Sequence, residues 1–518
     1  MTSDAIAAGN QSNIGIGIHL LGLVIALIFA FVLSKLLRRQ SKFRQPPGPP
    51  TWPIIGNLWE IEKEDKVYLL LTKWAKQYGD VYQIKTGPKT VVILSSIAAV
   101  RDAFVKKQID FSNRSRNVSN ELQSDGYNDV LFAPYSETWK IHRKLLNQAL
   151  RNFATEEHMM HHLQNSMNIA NAFLAPDLGK SYDPFNFVTL IVYNFICSMI
   201  VGKVFDPDDR EFNALRIRRR EITDTIGNGF LADFFPMLKY FRIPRLRKAQ
   251  ALVDDMLKYS QSILESHKHA FSKDKIRDFT DHLLAAQLKA VEQGDENVDA
   301  LSDCHLKNTI MDIFSAGTET TVNTLYWILL YVASYRDVQK RIHDEIDRVV
   351  GKLYSVNAPS MKDRKNLPIT QATVNEVMRL RPAVPLGIPR STVCDTTVFD
   401  YDLKSGTDAI ANIWALHHDP NEWNDPETFN PDRFLNEDGT LAEKPRSFLP
   451  FCTGRRVCIG ETVAKPEICL VTAMVLQKYA LSLPTGIKRQ FEPANLGFTV
   501  YSKPYQIIFQ ERSELQDS

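Results

Sequence analysis

The sequence has few cysteines, almost no net charge and no internal repeat. Its six cysteines are scattered through 518 residues, and no two of them form a CxxC pair. This spacing excludes a cysteine zinc site and a disulfide framework, and it indicates reduced thiols in a domain that faces the cytosol. The formal net charge is only +2, which argues against nucleic acid as a partner.

The N-terminus also lacks basic residues until an apolar run has ended. Residues 1–13 contain no Lys or Arg, and Ile14 to Leu33 is then apolar or small except for His19. A helix of this length matches the roughly 30 Å hydrocarbon core of a bilayer. Basic residues follow directly, and the positive-inside rule places them in the cytoplasm. We therefore expect a lumenal tail and a single transmembrane helix within residues 1–34. A cleaved signal peptide is the alternative.

A basic and proline-rich linker is expected over residues 35–56, because the Pro46-Pro-Gly-Pro-Pro50 stretch stiffens the chain into an extended connector. One catalytic domain is expected over residues 57–518. Most of its sequence has helical periodicity, and β-like segments are short. The predicted fold class is therefore mainly α with small β-sheets, preceded by the transmembrane helix.

Three further elements are predicted from local patterns. The stretch from Phe111 to Asp129 is rich in Ser, Asn and Asp and is expected to be a long loop. A very long helix is expected from Ile310 to Val350. Leu496–Val500 and Tyr505–Phe509 are expected to pair as strands.

The stretch from Phe451 to Gly460 carries the strongest chemical signal. Cys458 follows Arg456 and precedes an apolar helical pattern. A helix N-terminus and a neighbouring arginine both stabilise a thiolate, which is the form of cysteine that ligates iron. Gly454 and Gly460 permit tight turns and a close approach to a flat ligand. A lone cysteine in apolar surroundings is more often a core residue, and Cys452 is expected to be one.

The spacing of Phe451, Gly454, Arg456, Cys458 and Gly460 resembles the haem-binding loop of the cytochrome P450 family at every position. The resemblance covers residues 46–518 and implies the cytochrome P450 fold and haem b. It makes Cys458 the axial iron ligand and packs Phe451 beside the sulfur. It also implies that haem propionates bind Arg456, Arg390 and a Trp-x-x-x-Arg pair. That pair is Trp139 and Arg143, which face one side of a predicted helix.

A second chemical stretch is Ala316-Gly-Thr-Glu-Thr-Thr321, within the long predicted helix. Gly and Thr are poor helix formers, so we expect that these residues have another role in the helix. The Thr320 hydroxyl can bond to the Ala316 carbonyl and open a local bulge. Ala316, Gly317, Glu319 and Thr320 are similar to the family's oxygen-activation motif. The resemblance implies that Ala316 and Gly317 lie at the haem, and that Glu319 and Thr320 deliver protons to dioxygen.

Two further features concern the scaffold. Glu376 and Arg379 lie three residues apart on a predicted helix. The resemblance adds Arg433 to form a buried Glu-Arg-Arg network. Pro466 departs from the family pattern, and we expect it to distort the helix after Cys458.

The resemblance implies a monooxygenase in the endoplasmic reticulum membrane with a cytosolic catalytic domain. Electrons would come from NADPH-cytochrome P450 reductase, with cytochrome b5 as a further partner. The expected basic docking face comprises Lys140, Lys144, Arg455 and Lys465. A haem-thiolate isomerase or dehydratase, or a haem sensor without enzymatic activity, are the alternatives.

Two groups of animal cytochromes P450 share local sequence with this chain. Ile222–Tyr240 and Lys275–Asp281 are similar to enzymes that oxidise polycyclic aromatic compounds. Leu380–Pro382 and Trp414–Trp423 are similar to steroid 17-hydroxylases. These similarities favour a flat, rigid and hydrophobic substrate.

Overall fold

The computed structural model describes residues 43–512, except for residues 154, 228, 297, 352–356, 487–490 and 497–498. The apolar run at Ile14–Leu33, where a transmembrane helix is expected, lies outside the described residues. Among the residues that are described, no helix is both long and apolar enough to cross a bilayer.

Helices form most of the described chain. They are α1 Leu58–Glu62, α2 Val67–Tyr78, α3 Ile97–Arg101, α4 Val118–Gln123, α5 Glu137–Phe153, α6 Glu156–Leu174, α7 Phe185–Val201, α8 Arg210–Ile226, α9 Leu231–Phe234, α10 Pro244–Ala270, α11 Phe279–Gln293, α12 Asp303–Ser334, α13 Arg336–Val349, α14 Met361–Arg364, α15 Pro368–Leu380, α16 Ile413–His417 and α17 Glu461–Lys478.

The strands are short. They are β1 Val81–Thr86, β2 Lys89–Leu94, β3 Asn113–Arg114, β4 Ser181–Tyr182, β5 Arg390–Ser391, β6 Thr396–Val398, β7 Tyr401–Leu403, β8 Asp408–Ala411, β9 Tyr479–Ser482, β10 Pro493–Leu496, β11 Thr499–Ser502 and β12 Ile507–Glu511. The largest sheet has the order β1-β2-β8-β5-β3, and β12 lies between β4 and β9. The mainly helical fold with small sheets is as predicted.

The long helix α12 runs through the centre of the core. It packs against α7, α10, α15 and α17, and nearly all of its side chains after Thr320 are buried. The single helix expected from Ile310 to Val350 is wrong in one respect. Tyr335 has φ −114° and ψ 82°, so it ends α12, and α13 begins at the next residue. Apolar periodicity continues across this break because both helices bury one face in the same core.

Two predictions of local structure need correction. The segment from Phe111 to Asp129 is not a simple loop, because it contains β3 and α4. Asn117 caps α4 by accepting a hydrogen bond from the Asn120 N–H at 2.7 Å. Asn and Ser therefore mark a helix cap here. The C-terminal strands also pair differently from the prediction, since β10 pairs with β11 while β12 pairs with β4 and β9.

Pro466 lies inside α17 without interrupting it. The expected distortion does not break the helix. Residues 466–477 of α17 are all buried, and this packing holds the helical path although one backbone hydrogen bond is missing.

The proline-rich segment is attached to the domain. The Gln83 N–H donates to the Pro47 carbonyl at 2.8 Å, and the Asn57 N–H donates to the Lys85 carbonyl at 2.7 Å. The boundary expected at residue 57 therefore does not coincide with a break in contacts.

The hairpin of β10 and β11 reaches back to the central helix. The Val500 carbonyl accepts hydrogen bonds from the side chains of Asn323 and Trp327 in α12. The Val500 N–H donates to the Ala383 carbonyl at 3.1 Å. One residue of β11 thus connects α12 to the segment after α15.

Candidate active site

Residues 457–460 form the Cys458 loop. It lies between a short 3₁₀ turn, Gly454–Arg456, and the start of α17 at Glu461. The Cys458 N–H donates to the Phe451 carbonyl at 3.1 Å, which places these two residues side by side. Gly454 has φ +74°, and a Cβ built there would lie only 1.8 Å from the Phe104 carbonyl oxygen. Glycine is therefore required at this turn.

The Cys458 residue is exposed, but the surrounding protein desolvates its thiol on the other sides. Burial raises the pKa of Cys458, and the opposing effects of the Gly460 backbone N–H and the Arg143 charge are smaller. The predicted stabilisation of the thiolate by backbone N–H groups and an arginine is present, with Arg143 as the arginine, but burial outweighs it. A metal ion ligated by the sulfur would supply the missing stabilisation, because metal coordination deprotonates a thiol.

Arginines gather beside this loop. Arg114 and Arg390 are paired residues of β3 and β5, and both are buried. Burial, followed by repulsion from Arg114, Arg143 and Arg390, lowers the pKa of Arg456. Asp129 is the acidic group that offsets part of this charge. Such a concentration of buried positive charge favours an anionic ligand.

All four predicted propionate donors are hydrogen-bonded to backbone carbonyls. The Trp139 indole N–H donates to the Val130 carbonyl at 3.0 Å, and Arg143 donates to the Val457 carbonyl. Arg456 donates to two other carbonyls, at 2.8 Å to Ser112 and at 2.7 Å to Ala133. Its guanidinium also lies 4.0 Å from the Trp139 ring centroid.

Arg390 is only partly satisfied. It donates to the Thr453 carbonyl and to the Cys452 sulfur, while its buried Nη1 has no hydrogen-bond partner. A buried charged donor without an acceptor is costly, so this atom marks a place for a ligand oxygen.

The structure brings Trp139, Arg143, Arg390 and Arg456 together around the Cys458 loop, and their binding to propionates stays a prediction. It adds Arg114, which the sequence analysis missed because the residue falls in the segment taken for a loop. Nothing in the local sequence singles out Arg114. Only the pairing of β3 with β5 places it opposite Arg390.

The second chemical stretch lies on α12. The Thr320 hydroxyl donates to the Ala316 carbonyl at 2.8 Å, which is the predicted bond. The chain nevertheless remains α-helical throughout this segment, so the predicted bulge is absent. Ala316 is exposed. A Cβ on Gly317 would lie 3.0 Å from Ile196 Cδ1, so Gly317 allows α7 to approach α12, and its role at the cofactor stays a prediction.

Glu319 is hydrogen-bonded to side chains outside its own helix. Its Oε2 accepts from Arg219 Nη2 at 2.6 Å, and its Oε1 accepts from the Thr223 hydroxyl at 2.5 Å. Both partners belong to α8. Burial raises the pKa of Glu319, but the charge of Arg219 and hydrogen bonds from Thr223 and Tyr501 outweigh it and hold the pKa below its ordinary value. Sequence reasoning missed Arg219 because α8 is distant in the chain.

The residues present fit haem b. Cys458 offers a sulfur ligand for iron, and the arginine cluster with the orphan Nη1 of Arg390 suits two propionates. Gly460 places no side chain next to the Cys458 sulfur, whereas the space beside Gly454 is filled by the Phe104 carbonyl.

Comparisons with known proteins agree with this geometry. A family model described as Cytochrome P450 matches residues 46–509. Steroid 17-alpha-hydroxylase/17,20 lyase of Ictalurus punctatus is 35% identical over 89% of this chain and 90% of its own length. The protein of that name from Gallus gallus is 36% identical over 85% of this chain and 87% of its own length. Cytochrome P450 1A3 of Oncorhynchus mykiss is 32% identical over 93% and 94% of the two chains. The chain therefore belongs to the cytochrome P450 family, and it is a haem-thiolate monooxygenase that carries haem b.

Proposed function

We propose that this cytochrome P450 hydroxylates a flat, rigid and hydrophobic substrate of the steroid or polycyclic aromatic class. The similarity to steroid 17-alpha-hydroxylases and to Cytochrome P450 1A3 supports both classes. In this family haem b activates dioxygen, and two electrons and two protons convert the second oxygen atom to water. The chain's own contribution is to hold the cofactor, to orient the substrate and to supply protons.

The observation that carries the proposal is the arrangement of α12. It presents the Thr320 hydroxyl and the Glu319 carboxylate at adjacent positions on a helix buried in the core. An alcohol and a carboxyl group can pass protons from solvent to a reacting oxygen. An isomerase or dehydratase has no need of this pair.

A reductase that uses NADPH is the proposed electron source, with cytochrome b5 as a second partner. Lys144 lies on α5 and is exposed. Lys140 and Lys465, in contrast, form ion pairs with Glu137 and Glu461. Lys144 and Arg455 are therefore the better candidates for attraction to an acidic partner surface.

The proposed location is the endoplasmic reticulum membrane, through the N-terminal run. An apolar surface on the domain supports this location. Gly87 brings two of its segments together, because its N–H donates to the Ile55 carbonyl and a Cβ built on it would lie 3.2 Å from Phe235 Cζ. The large apolar side chains exposed on these two segments are Trp52, Ile54, Trp59, Leu231, Met237, Tyr240 and Phe241. Such a patch is typical of a membrane-contacting surface.

One observation favours the isomerase or dehydratase alternative. Glu319 is held by Arg219 and is not free to donate a proton in this arrangement. The alternative requires no external electrons, so dependence of product formation on NADPH and reductase separates the two functions.

The experiment that tests the proposal is a screen of steroids and planar aromatic compounds with the purified holoenzyme. Binders are identified by a shift in the haem absorption spectrum, and products are then analysed with NADPH and reductase. We expect hydroxylated products that contain one atom of labelled dioxygen. Binding without NADPH-dependent oxidation would contradict the proposal. Cys458→Ser is expected to lose the thiolate signature in the ferrous carbon-monoxide spectrum, and Cys452→Ser is expected to retain it.

A further inference from the structure

We propose that Asp129 and Asp312 share one proton and together hold the segment of residues 129–133 against α12, so that haem retention depends on this proton. Both are positioning residues, because they act on the cofactor through the backbone that lies between them and the residues predicted to bind haem propionates. This role is independent of the substrate that the enzyme oxidises.

The two carboxyl groups accept hydrogen bonds from the backbone N–H groups of this segment. Asp312 Oδ2 accepts from the Val130 N–H at 2.9 Å and from the Leu131 N–H at 3.3 Å. Asp129 Oδ2 accepts from the Phe132 N–H at 2.8 Å. Three consecutive N–H groups are therefore bound by two acids, and one of these acids belongs to the central helix α12.

The carbonyl groups of the same segment bind the cluster of arginines beside the Cys458 loop. The Val130 carbonyl accepts from the Trp139 indole N–H at 3.0 Å and from Arg456 Nη1 at 3.3 Å. The Leu131 carbonyl accepts from Arg114 Nε at 2.9 Å. Because each peptide group is fixed on both sides, a shift of this backbone would also shift the side chains that are predicted to bind the haem propionates.

One oxygen of the pair marks the place of the proton. Asp129 Oδ1 is buried and has no hydrogen-bond partner among the described residues. The carboxyl groups of Asp129 and Asp312 lie close enough for their charges to repel each other. Two adjacent carboxyl groups that are shielded from water do not ionise together. A proton on Asp312 removes the repulsion and provides the donor that the Asp129 oxygen lacks.

The surroundings of the two acids decide which of them keeps the proton. Burial raises the pKa of both, and repulsion from Asp129 raises the pKa of Asp312 further. Backbone N–H groups oppose this rise at both acids. Asp129 in addition faces the charges of Arg456 from the 3₁₀ turn and Arg114 from β3, which favour its ionised form. Asp312 is therefore the neutral acid, and Asp129 is the carboxylate that balances the arginines.

Two amide variants test this assignment, because asparagine has the shape of a neutral carboxylic acid and offers both a donor and an acceptor. Asp312→Asn is expected to load haem like wild type at about pH 7. Asp129→Asn removes the carboxylate that balances Arg456 and Arg114, so a lower haem content and a lower urea midpoint are expected. Failure of Asp312→Asn to fold or to load haem would overturn the inference, and so would a milder effect of Asp129→Asn.

The second test measures how fast each holoenzyme releases haem to an excess of apomyoglobin between about pH 6 and about pH 9. The shared proton is fully bound at low pH and is lost as pH rises through the raised pKa of Asp312, so the segment is held less firmly at high pH. Haem release from wild type is expected to accelerate by at most about tenfold for each pH unit, because one proton is lost. Asp312→Asn is expected to release haem at a nearly constant rate.

Asp303→Asn is the matched control on the same helix. Asp303 pairs with Lys268 and is 45% exposed, and hydrogen bonds from Lys268 and Gln287 hold its pKa below the ordinary value. It therefore stays ionised over the whole pH range, and this variant is expected to follow wild type. A wild-type release rate that does not change with pH, or one that rises equally in Asp312→Asn, would overturn the inference. A urea midpoint that falls with pH while haem release stays constant would show that the pair titrates without positioning the haem site, which would also overturn it.

Discussion

Arg379 and Glu376 form a bidentate ion pair from which water is completely excluded. Arg379 Nε lies 2.7 Å from Glu376 Oε2 and Nη2 lies 2.9 Å from Oε1, and neither side chain is exposed. Arg433 adds a third contact at 3.2 Å to Oε1. The predicted Glu-Arg-Arg network is therefore present, and α15 is joined through it to the segment before the Cys458 loop.

Glu376→Gln is expected to destabilise the fold by about 3–5 kcal/mol, because the buried Arg379 and the partly buried Arg433 would face each other without a counter-charge. Urea unfolding and the yield of haem-loaded protein measure this loss. Lys340→Gln serves as the control, since Lys340 and Asp344 form an exposed pair worth well under about 1 kcal/mol. Similar midpoints for the two variants would show that the network adds little.

Gly454→Ala and Gly460→Ala are expected to differ sharply, although both glycines belong to the same sequence pattern. The new Cβ at position 454 would meet the Phe104 carbonyl at 1.8 Å and would require φ +74°, whereas at position 460 its nearest neighbour is Cys458 Sγ at 3.9 Å. Left-handed backbone alone costs a substituted residue about 1–3 kcal/mol. Haem content after purification is the measurement. Full haem loading of Gly454→Ala would contradict the geometry.

Thr320→Ala is expected to uncouple NADPH oxidation from product formation, with a loss of about 10²-fold or more in the product-forming rate. The reason is that the hydroxyl on α12 is removed while the haem site is unchanged. Thr320→Ser retains the hydroxyl and should retain most of the coupling. Thr324→Ala is the matched control, because Thr324 makes an equivalent bond to the Thr320 carbonyl at 2.8 Å. Unchanged coupling in Thr320→Ala would remove Thr320 from the mechanism.

His267 is expected to make stability depend on pH. It contacts Asp278 at 2.9 Å and the Ile263 carbonyl at 2.9 Å. Burial alone lowers its pKa, but the hydrogen bond to Asp278 and the charge of Asp278 outweigh this and raise the pKa above 6.5. The contribution is therefore complete below pH 6.5 and is lost as pH rises through the raised pKa.

His267→Gln keeps a hydrogen-bonding side chain that does not titrate. Urea midpoints measured above and below pH 6.5 should fall less with rising pH in this variant than in wild type. His269→Gln alters a histidine near the end of the same helix, α10, and is expected to keep the wild-type slope. Identical slopes for all three proteins would show that the His267–Asp278 contact carries no such dependence.

The sequence was sufficient to predict those site residues that lie close together in the chain. The residues around Cys458 lie within ten positions, so their spacing alone identified the family and its cofactor. Trp139 and Arg143 were likewise found because one helix turn separates them. The short strands and the break at Tyr335 were harder to predict, since they depend on packing between distant segments.

The partners of site residues could not be predicted in the same way. Arg114 meets Arg390 only through a strand pairing across 276 positions, as their numbers show. Arg219 and Glu319 are separated by 100 positions, and nothing near either residue indicates the other. Residue types therefore predicted which groups do chemistry, and the fold was needed to show what restrains them.

The contact of Val500 with the central helix limits how this protein can be recombined with its relatives. A chimera whose crossover point falls between residues 327 and 500 would separate the Val500 backbone from the Asn323 and Trp327 side chains that bind it. The hairpin taken from the relative would follow a different backbone path and would displace Tyr501, which lies next to Val500. Exchange experiments intended to transfer substrate preference should therefore move both segments together.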